Sequence, residues 1–280
     1  MKKRIKTIII CTSIVLMIIV ALVVNSKSHK KYANSMGTAE YLYEMKTEYI
    51  GDNSAVAKLL SALDIGMYGK YTFELKTTEE PYILKINYNE IEGWGPINSE
   101  TIIQKSTILL ALITNAEGVL WTIPDNEEYY QVSTNDVSSE YGSIKNFGKS
   151  ASDFKELLIK LGYEEEDFIT MDIDKLSKKG ITLKLENHIN KDYYYGSDYL
   201  LYKKVNDEWI TLNFINSCGF NAMAYSLNAN QIRFETYDWE YCYGRLSKGK
   251  YRITKDFSDK TYNADSTSGN KYYISVEFEI

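Results

Sequence analysis

Leu246-Ser247-Lys248-Gly249-Lys250-Tyr251 sets a leucine, a glycine and a tyrosine at the mouth of a strand. That spacing suits a tyrosine corner: Gly249 permits the tight turn, and the Tyr251 hydroxyl can donate to backbone just upstream. The flanking residues alternate. Lys250 to Phe257 forms one strand pattern. In Tyr272 to Ile280, Tyr272, Ile274, Val276, Phe278 and Ile280 share a face, and Ser275, Glu277 and Glu279 share the other. Further back, Ile181, Leu183 and Leu185 alternate with Thr182, Lys184 and Glu186. Tyr199 to Val205 and Trp209 to Leu212 flank a turn at Asn206-Asp207-Glu208, and Gln231 to Tyr237 adds a strand. Six or seven short strands in about 100 residues predict an all-β sandwich over 179–280.

Tyr195-Gly196, Trp239, Tyr243-Gly244-Arg245-Leu246 and Gly249-Lys250-Tyr251-Arg252-Ile253 together resemble a bacterial immunoglobulin-like domain. The resemblance runs to the last residue and implies a binding or spacer module with no inherited activity.

Upstream, 163–178 is charged, from Glu164-Glu165-Glu166-Asp167 to Lys178, and reads as an acidic linker. Asp172 and Asp174 supply two oxygens, but no glycine follows at the offset a calcium loop requires.

Residues 38–162 show mixed periodicity. Tyr41 to Ile50 reads as an entry strand. Asp52-Asn53-Ser54 caps a short helix. Thr72 to Thr77 and Pro81 to Tyr88 form a hairpin, with Phe73 and Leu75 on one face and Tyr82, Leu84, Ile86 and Tyr88 on the partner's. Ser99 can cap a helix over 100–115. Gly118 to Ile123 and Glu128 to Val132 suggest a second hairpin, and Ser150-Ala151-Ser152-Asp153 has capping-box spacing before a helix that Gly162 ends. The pattern predicts a small α+β domain, helices over an antiparallel sheet. The residues from Tyr43 to Ser54, from Leu75 to Tyr88 around Thr-Thr-Glu-Glu-Pro-Tyr, and from Leu109 to Asn115 resemble the domain of unknown function 4825 family. That family often accompanies membrane peptidases of the beta-lactam-sensor type. No such peptidase is in this chain, so the resemblance implies no catalytic residue.

The apolar run from Ile8 to Val24 follows Lys2, Lys3, Arg4 and Lys6, and defines 1–31 as a signal or transmembrane anchor. Poor small-residue spacing at its end favours a retained anchor over cleavage, which would leave a secreted body. Lys27, Lys30 and Lys31 soften the asymmetry, but the N-terminal charges lie tight against the run, so the body is expected outside the cytoplasm.

The net charge is −6, yet the first 31 residues hold seven basic residues and no acid. The remainder has 25 basic against 38 acidic residues, about −13. A body so acidic, with no basic stripe, argues against nucleic acid and against resting on anionic lipid. Gly244 to Lys250 nearly spells a phosphate loop, but Tyr251 stands where Ser or Thr must be and a strand follows, so no nucleotide is expected. Ser247-Lys248-Gly249-Lys250 matches Ser-x-x-Lys in a β context, without the helix that juxtaposes the pair. His29 and His188 lack zinc-protease spacing, and no metal or other cofactor is expected.

Two aromatic features are candidate binding residues: Trp94, flanked by Gly93 and Gly95-Pro96, and Tyr193-Tyr194-Tyr195. Each has a packing alternative, a loop plug on the core and a strand-end cluster. Cys218 and Cys242 form either a disulfide or two separate small core residues. The expectation is a membrane-anchored, outward-facing, non-catalytic binding or sensing protein of the cell envelope, with an envelope protein or cell-wall partner. Its alternatives are an envelope hydrolase whose site converges only in the fold, and a structural spacer.

Overall fold

Helix α1, Thr38–Tyr43, buries Ala39, Tyr41 and Leu42 at helical spacing, with Glu40 in its first turn complementing the N-terminal dipole. The strand expected over 41–50 is therefore replaced by this helix and a single parallel bridge between Thr47 and Ile113. The structure, a computed structural model, describes residues 35–91, 97–124, 129–165, 168–259 and 269–280. The apolar run from Ile8 to Val24 lies outside them. Among the described residues, no helix is long and apolar enough to cross a membrane.

Helix α2, Asn53–Ala62, starts where Asp52 accepts from the Ala55 amide at 3.0 Å. Strands β1 (Lys70–Lys76) and β2 (Ile83–Glu90) pair antiparallel, turning Leu84, Ile86 and Tyr88 inward. Helix α3, Ser99–Leu112, follows. Its cap is Asn98, whose side chain accepts from Thr101 N at 2.9 Å, and not Ser99. Strand β3, Gly118–Thr122, then returns parallel to β2, and β4, Tyr129–Ser133, pairs antiparallel with β3. The sheet β1-β2-β3-β4 is thus mixed and not wholly antiparallel. A helix between β2 and β3 carries the chain back across the sheet, so the second strand restarts in the same direction. Inside, the Trp121 indole donates to the Ser106 hydroxyl at 2.8 Å.

Two further helices were not expected. Helix α4, Thr134–Tyr141, starts with a full capping box between Ser133 and Asp136, and α5 is Ile144–Phe147. Helix α6, Ala151–Lys160, is capped by Ser150.

Strand β5, Ile169–Leu176, occupies half of what reads as a linker. A register shift between Ile173 and Lys175 breaks its period of two, which disguises a strand whose first residues are buried. It pairs with β6 (Gly180–Asn187), and β6 with β11 (Ile232–Asp238), giving the sheet β11-β6-β5. The facing sheet is built on β12 (Lys250–Ser258). One edge of β12 takes β13 (Lys271–Glu279); the other takes β8 (Leu200–Val205) and then β7 (Tyr193–Tyr195). Strand β9 (Glu208–Thr211) extends β8, and β10 (Tyr225–Leu227) extends β7. Asn206 and Asp207 both have positive φ, 50° and 66°, the conformation that closes a two-residue hairpin.

Between the sheets, Trp239 stacks on Phe278 with centroids 5.6 Å apart. The outer face of β13 is not solvent. Helix α1 covers it: Thr38 Oγ1 accepts from Tyr273 N at 3.0 Å, Tyr41 stacks on Tyr273 at 4.4 Å, and Ser275 is fully buried.

Candidate functional site

Buried charge is the first place to look for chemistry, because burial shifts pKa values. A shallow cleft of 440 Å³ lies between Glu80 and Tyr82 on the β1–β2 turn, Asn115 and Glu117 after α3, and Ser138 and Lys145. Lys145 enters its floor. The ammonium donates to the carbonyls of Leu110, Ile113 and Ala116 at 2.6, 2.9 and 2.6 Å. Three N–H groups meet three acceptors at the end of α3, where helix carbonyls lack partners. Burial lowers its pKa to about 8, with the Glu117 charge opposing. Its donors are spent on α3, so Lys145 is a cap and not a free acid or base. Gly148 lets this corner close: a Cβ there would lie 2.0 Å from the Ala111 carbonyl oxygen.

Lys255 points between the sheets, donating to the carbonyls of Gly196, at 2.7 Å, and of Asp198. It lies over the Tyr195 and Tyr237 rings at 5.5 and 5.2 Å. Burial lowers its pKa. Arg252, on the other face of β12, lies 4.2 Å over Trp209 between the carboxylates of Glu44 and Glu277. Lys105 on α3 is buried, and burial lowers its pKa to about 8, with Asp64 opposing and Lys271 reinforcing the shift. These cations sit in separate places, and the hydrogen bonds of Lys145 and Lys255 go to backbone carbonyls. Among the described residues, no group of His, Cys, Asp and Glu could hold a metal ion.

The residues singled out from sequence are dispersed. Trp94 lies outside the described residues. Tyr193 is fully buried, 4.9 Å from Phe168 and 5.7 Å from Tyr272, so it belongs to the core and not to a binding surface. Tyr194 is half-buried on the opposite face of β7, because successive strand residues point apart. Leu246 is buried, Gly249 has φ 153°, and the Tyr251 hydroxyl donates to the Ser247 carbonyl at 2.9 Å. The Ser247 hydroxyl takes its bond from Lys203, at 2.8 Å on the surface, and not from Lys250. His188 meets the Thr170 hydroxyl at 2.8 Å.

The feature that sequence reasoning missed joins β9 to β10. No residue between Glu208 and Arg233 is charged. In that span Phe214 is 43% exposed, Ile215 64%, Phe220 37% and Met223 60%. The Cys218–Cys242 disulfide ties the segment to helix α7, Glu240–Tyr243, and so do bonds from Ile215 N to the Cys242 carbonyl and from Asn216 Nδ2 to the Tyr241 carbonyl, at 2.8 and 2.6 Å. Both cysteines are half-buried and not core residues. Phe214 packs on Phe220 and Tyr243, at 6.0 and 5.0 Å, and Tyr241 beside them is 67% exposed. The available signal was the missing charge itself, in a chain where a quarter of residues are charged.

No curated protein matches the chain. Residues 42–135 match the family described as Domain of unknown function (DUF4825), and residues 164–273 match the family described as Bacterial Ig-like domain, so the body is similar to two unlike modules in tandem.

Proposed function

We propose that this chain is a membrane-anchored, outward-facing, non-catalytic binding or sensing protein of the bacterial cell envelope. The observation that carries the reading is the apolar segment around Phe214, Ile215 and Met223, presented at the surface and stapled by Cys218–Cys242. Exposed apolar residues held in a defined shape suit recognition, and a disulfide suits an oxidising compartment outside the cytoplasm. The apolar run from Ile8 to Val24 supplies the tether. The dispersed, structurally occupied cations Lys145, Lys255 and Arg252 favour binding over catalysis.

The test is capture of envelope proteins and cell-wall fragments by the full chain and by a Phe214→Asp, Met223→Asp variant. A partner retained by the native chain and lost by the variant is expected. Equal, background capture by both would favour a structural spacer, and turnover of a wall substrate would favour a hydrolase.

A further inference from the structure

Resting on the anchored reading above, and naming lipid as the partner that the same patch recognises, we infer that the disulfide-held segment around Phe214 and Ile215 is a second membrane contact, seated in the headgroup region of the bilayer that holds the N-terminal run. The apolar side chains Phe214, Ile215, Phe220, Met223 and Tyr241 enter the interface, and a local basic fringe meets lipid phosphates.

The body as a whole is acidic, which opposes contact with anionic lipid, but its charge is uneven. A Cβ on Gly244 would sit 3.3 Å from Ile215, so the turn that follows α7 lies against the apolar segment. That turn carries Arg245 and Lys248, both exposed. The Lys178 carbonyl accepts from Leu246 N and, at 3.0 Å, from the Trp239 indole, which brings the exposed Lys178 and Lys179 to the same end. Four cations there stand against Asp238 and Glu240, and the adjoining Lys250 is paired with Glu279 at 3.6 Å. Asp238 is turned to the Glu240 amide at 2.9 Å, and Glu240 is shared by Lys179 and Arg245 at 2.8 and 2.7 Å. A neutral apolar patch with a positive border is the charge pattern a bilayer surface complements. Tyr241, apolar in its ring and polar at its tip, suits the headgroup level.

Chain length points to the same occupant. Ten residues separate Val24 from Ser35, a span of at most about 35 Å when extended, so an anchored body is held on a short tether. At that distance, a partially inserted patch needs little further search, and a weak contact is raised by its high effective concentration.

The experiment uses the full chain reconstituted in phosphatidylcholine vesicles with and without phosphatidylglycerol. Phe214→Trp and Met223→Trp each add one indole to the native four tryptophans, and the added emission is obtained by difference. Tyr129→Trp, on the exposed edge of the first sheet, is the control. Replacing the lipids by brominated ones should quench the added emission at 214 and 223 at least about twofold, with a blue shift, and leave 129 nearly unquenched. Arg245→Glu with Lys248→Glu should weaken the quenching in the anionic vesicles. Co-flotation with vesicles but unquenched, water-like emission at 214 and 223 overturns this inference alone. So does blue-shifted, unquenched emission, which means that a second copy or another protein covers the patch. Failure to co-float overturns both this contact and the anchor.

Discussion

Arg252 donates two hydrogen bonds to the carboxylate of Glu44, at 2.6 and 3.1 Å, across 208 positions of sequence. Glu44 ends helix α1, and Arg252 lies on the central strand of the sandwich, bonded also to Glu277 at 2.9 Å and stacked on Trp209. The same junction holds Gln104 to Asn270 at 2.9 Å and Lys271 to Asp64 at 3.1 Å. The two modules therefore share one set of part-buried contacts. Fluorescence and circular dichroism should report coincident unfolding in denaturant. Arg252→Ala should cost about 2–4 kcal/mol, because it strips a stacked, paired guanidinium from an apolar site. Glu44→Gln should cost about 1 kcal/mol or less, since that carboxylate is partly exposed and Arg252 keeps Glu277. Two separate transitions in the native protein would mean that the modules fold independently.

A second prediction concerns the end of α3. Lys145→Met takes the ammonium from the Leu110, Ile113 and Ala116 carbonyls, of which Ile113 keeps the Ala116 amide, and should lower stability by about 2–4 kcal/mol. Arg in its place should not rescue, because a planar fork cannot reach three converging carbonyls as an ammonium does. Gly148→Ala should cost about 3 kcal/mol or more, since the clash is with backbone and not with a movable side chain. Gly142→Ala meets no neighbour within 4 Å but sits at φ 91°, so its smaller penalty should be conformational only. Urea midpoints of the four variants check the ranking.

What local pattern encodes was readable. Asp52 caps because its spacing to Ala55 is fixed within one turn, and Ile181, Leu183 and Leu185 alternate because β6 is regular. What depends on distant partners was not. Nothing near Gly118 says that β3 runs parallel to β2; the crossover decides it. The bulge at Ile173 hid β5, and Ser275 looks solvent-facing until α1 covers it. The candidate surface was hidden for another reason. Phe214, Ile215 and Met223 look like core residues in a string, and only the fold leaves them outside. Conversely, the sequence leaves Tyr193 open between display and strand-end packing, and the fold packs it inside.

Lys105 makes a third prediction, in pH. Its folded pKa, about 8, lies below the ordinary lysine value of 10.5. Between those values the unfolded chain binds more protons, so stability rises with pH; the gain is complete above 10.5 and lost as pH falls through 8. The increment from Lys105 between pH 7 and pH 9 is about 1 kcal/mol, and Lys145, shifted the same way, adds a similar slope. Lys105→Met should be more stable than the native chain near neutrality and show a visibly flatter rise. Measurements should stop near pH 9. Buried tyrosines such as Tyr163 and Tyr237, whose pKa values burial raises, reverse the sign once unfolded tyrosine ionises. An unchanged slope in Lys105→Met would mean that the ammonium is solvated.

The last prediction turns on the Cys218–Cys242 bond, which closes a sequence separation of 24 residues. Constraining a loop of that length removes unfolded-state entropy worth about 3 kcal/mol. Dithiothreitol and the Cys218→Ala, Cys242→Ala variant should therefore lower the denaturation midpoint by the same amount. The loss should be felt first around Phe214. Two hydrogen bonds, to the Tyr241 and Cys242 carbonyls, and the packing of Phe214 on Tyr243 would still tie that segment to α7, while the Tyr251 corner stays intact on the far side of Leu246. Limited proteolysis under reducing conditions should accordingly cut within 212–224 before any sandwich strand. Tyr251→Phe, by contrast, should cost about 1 kcal/mol without opening the segment, because it removes one hydrogen bond to Ser247 and leaves the bridge in place. A midpoint indifferent to reductant would show that the two thiols stay reduced in the folded protein. It would also remove the argument from disulfide chemistry for an extracytoplasmic body.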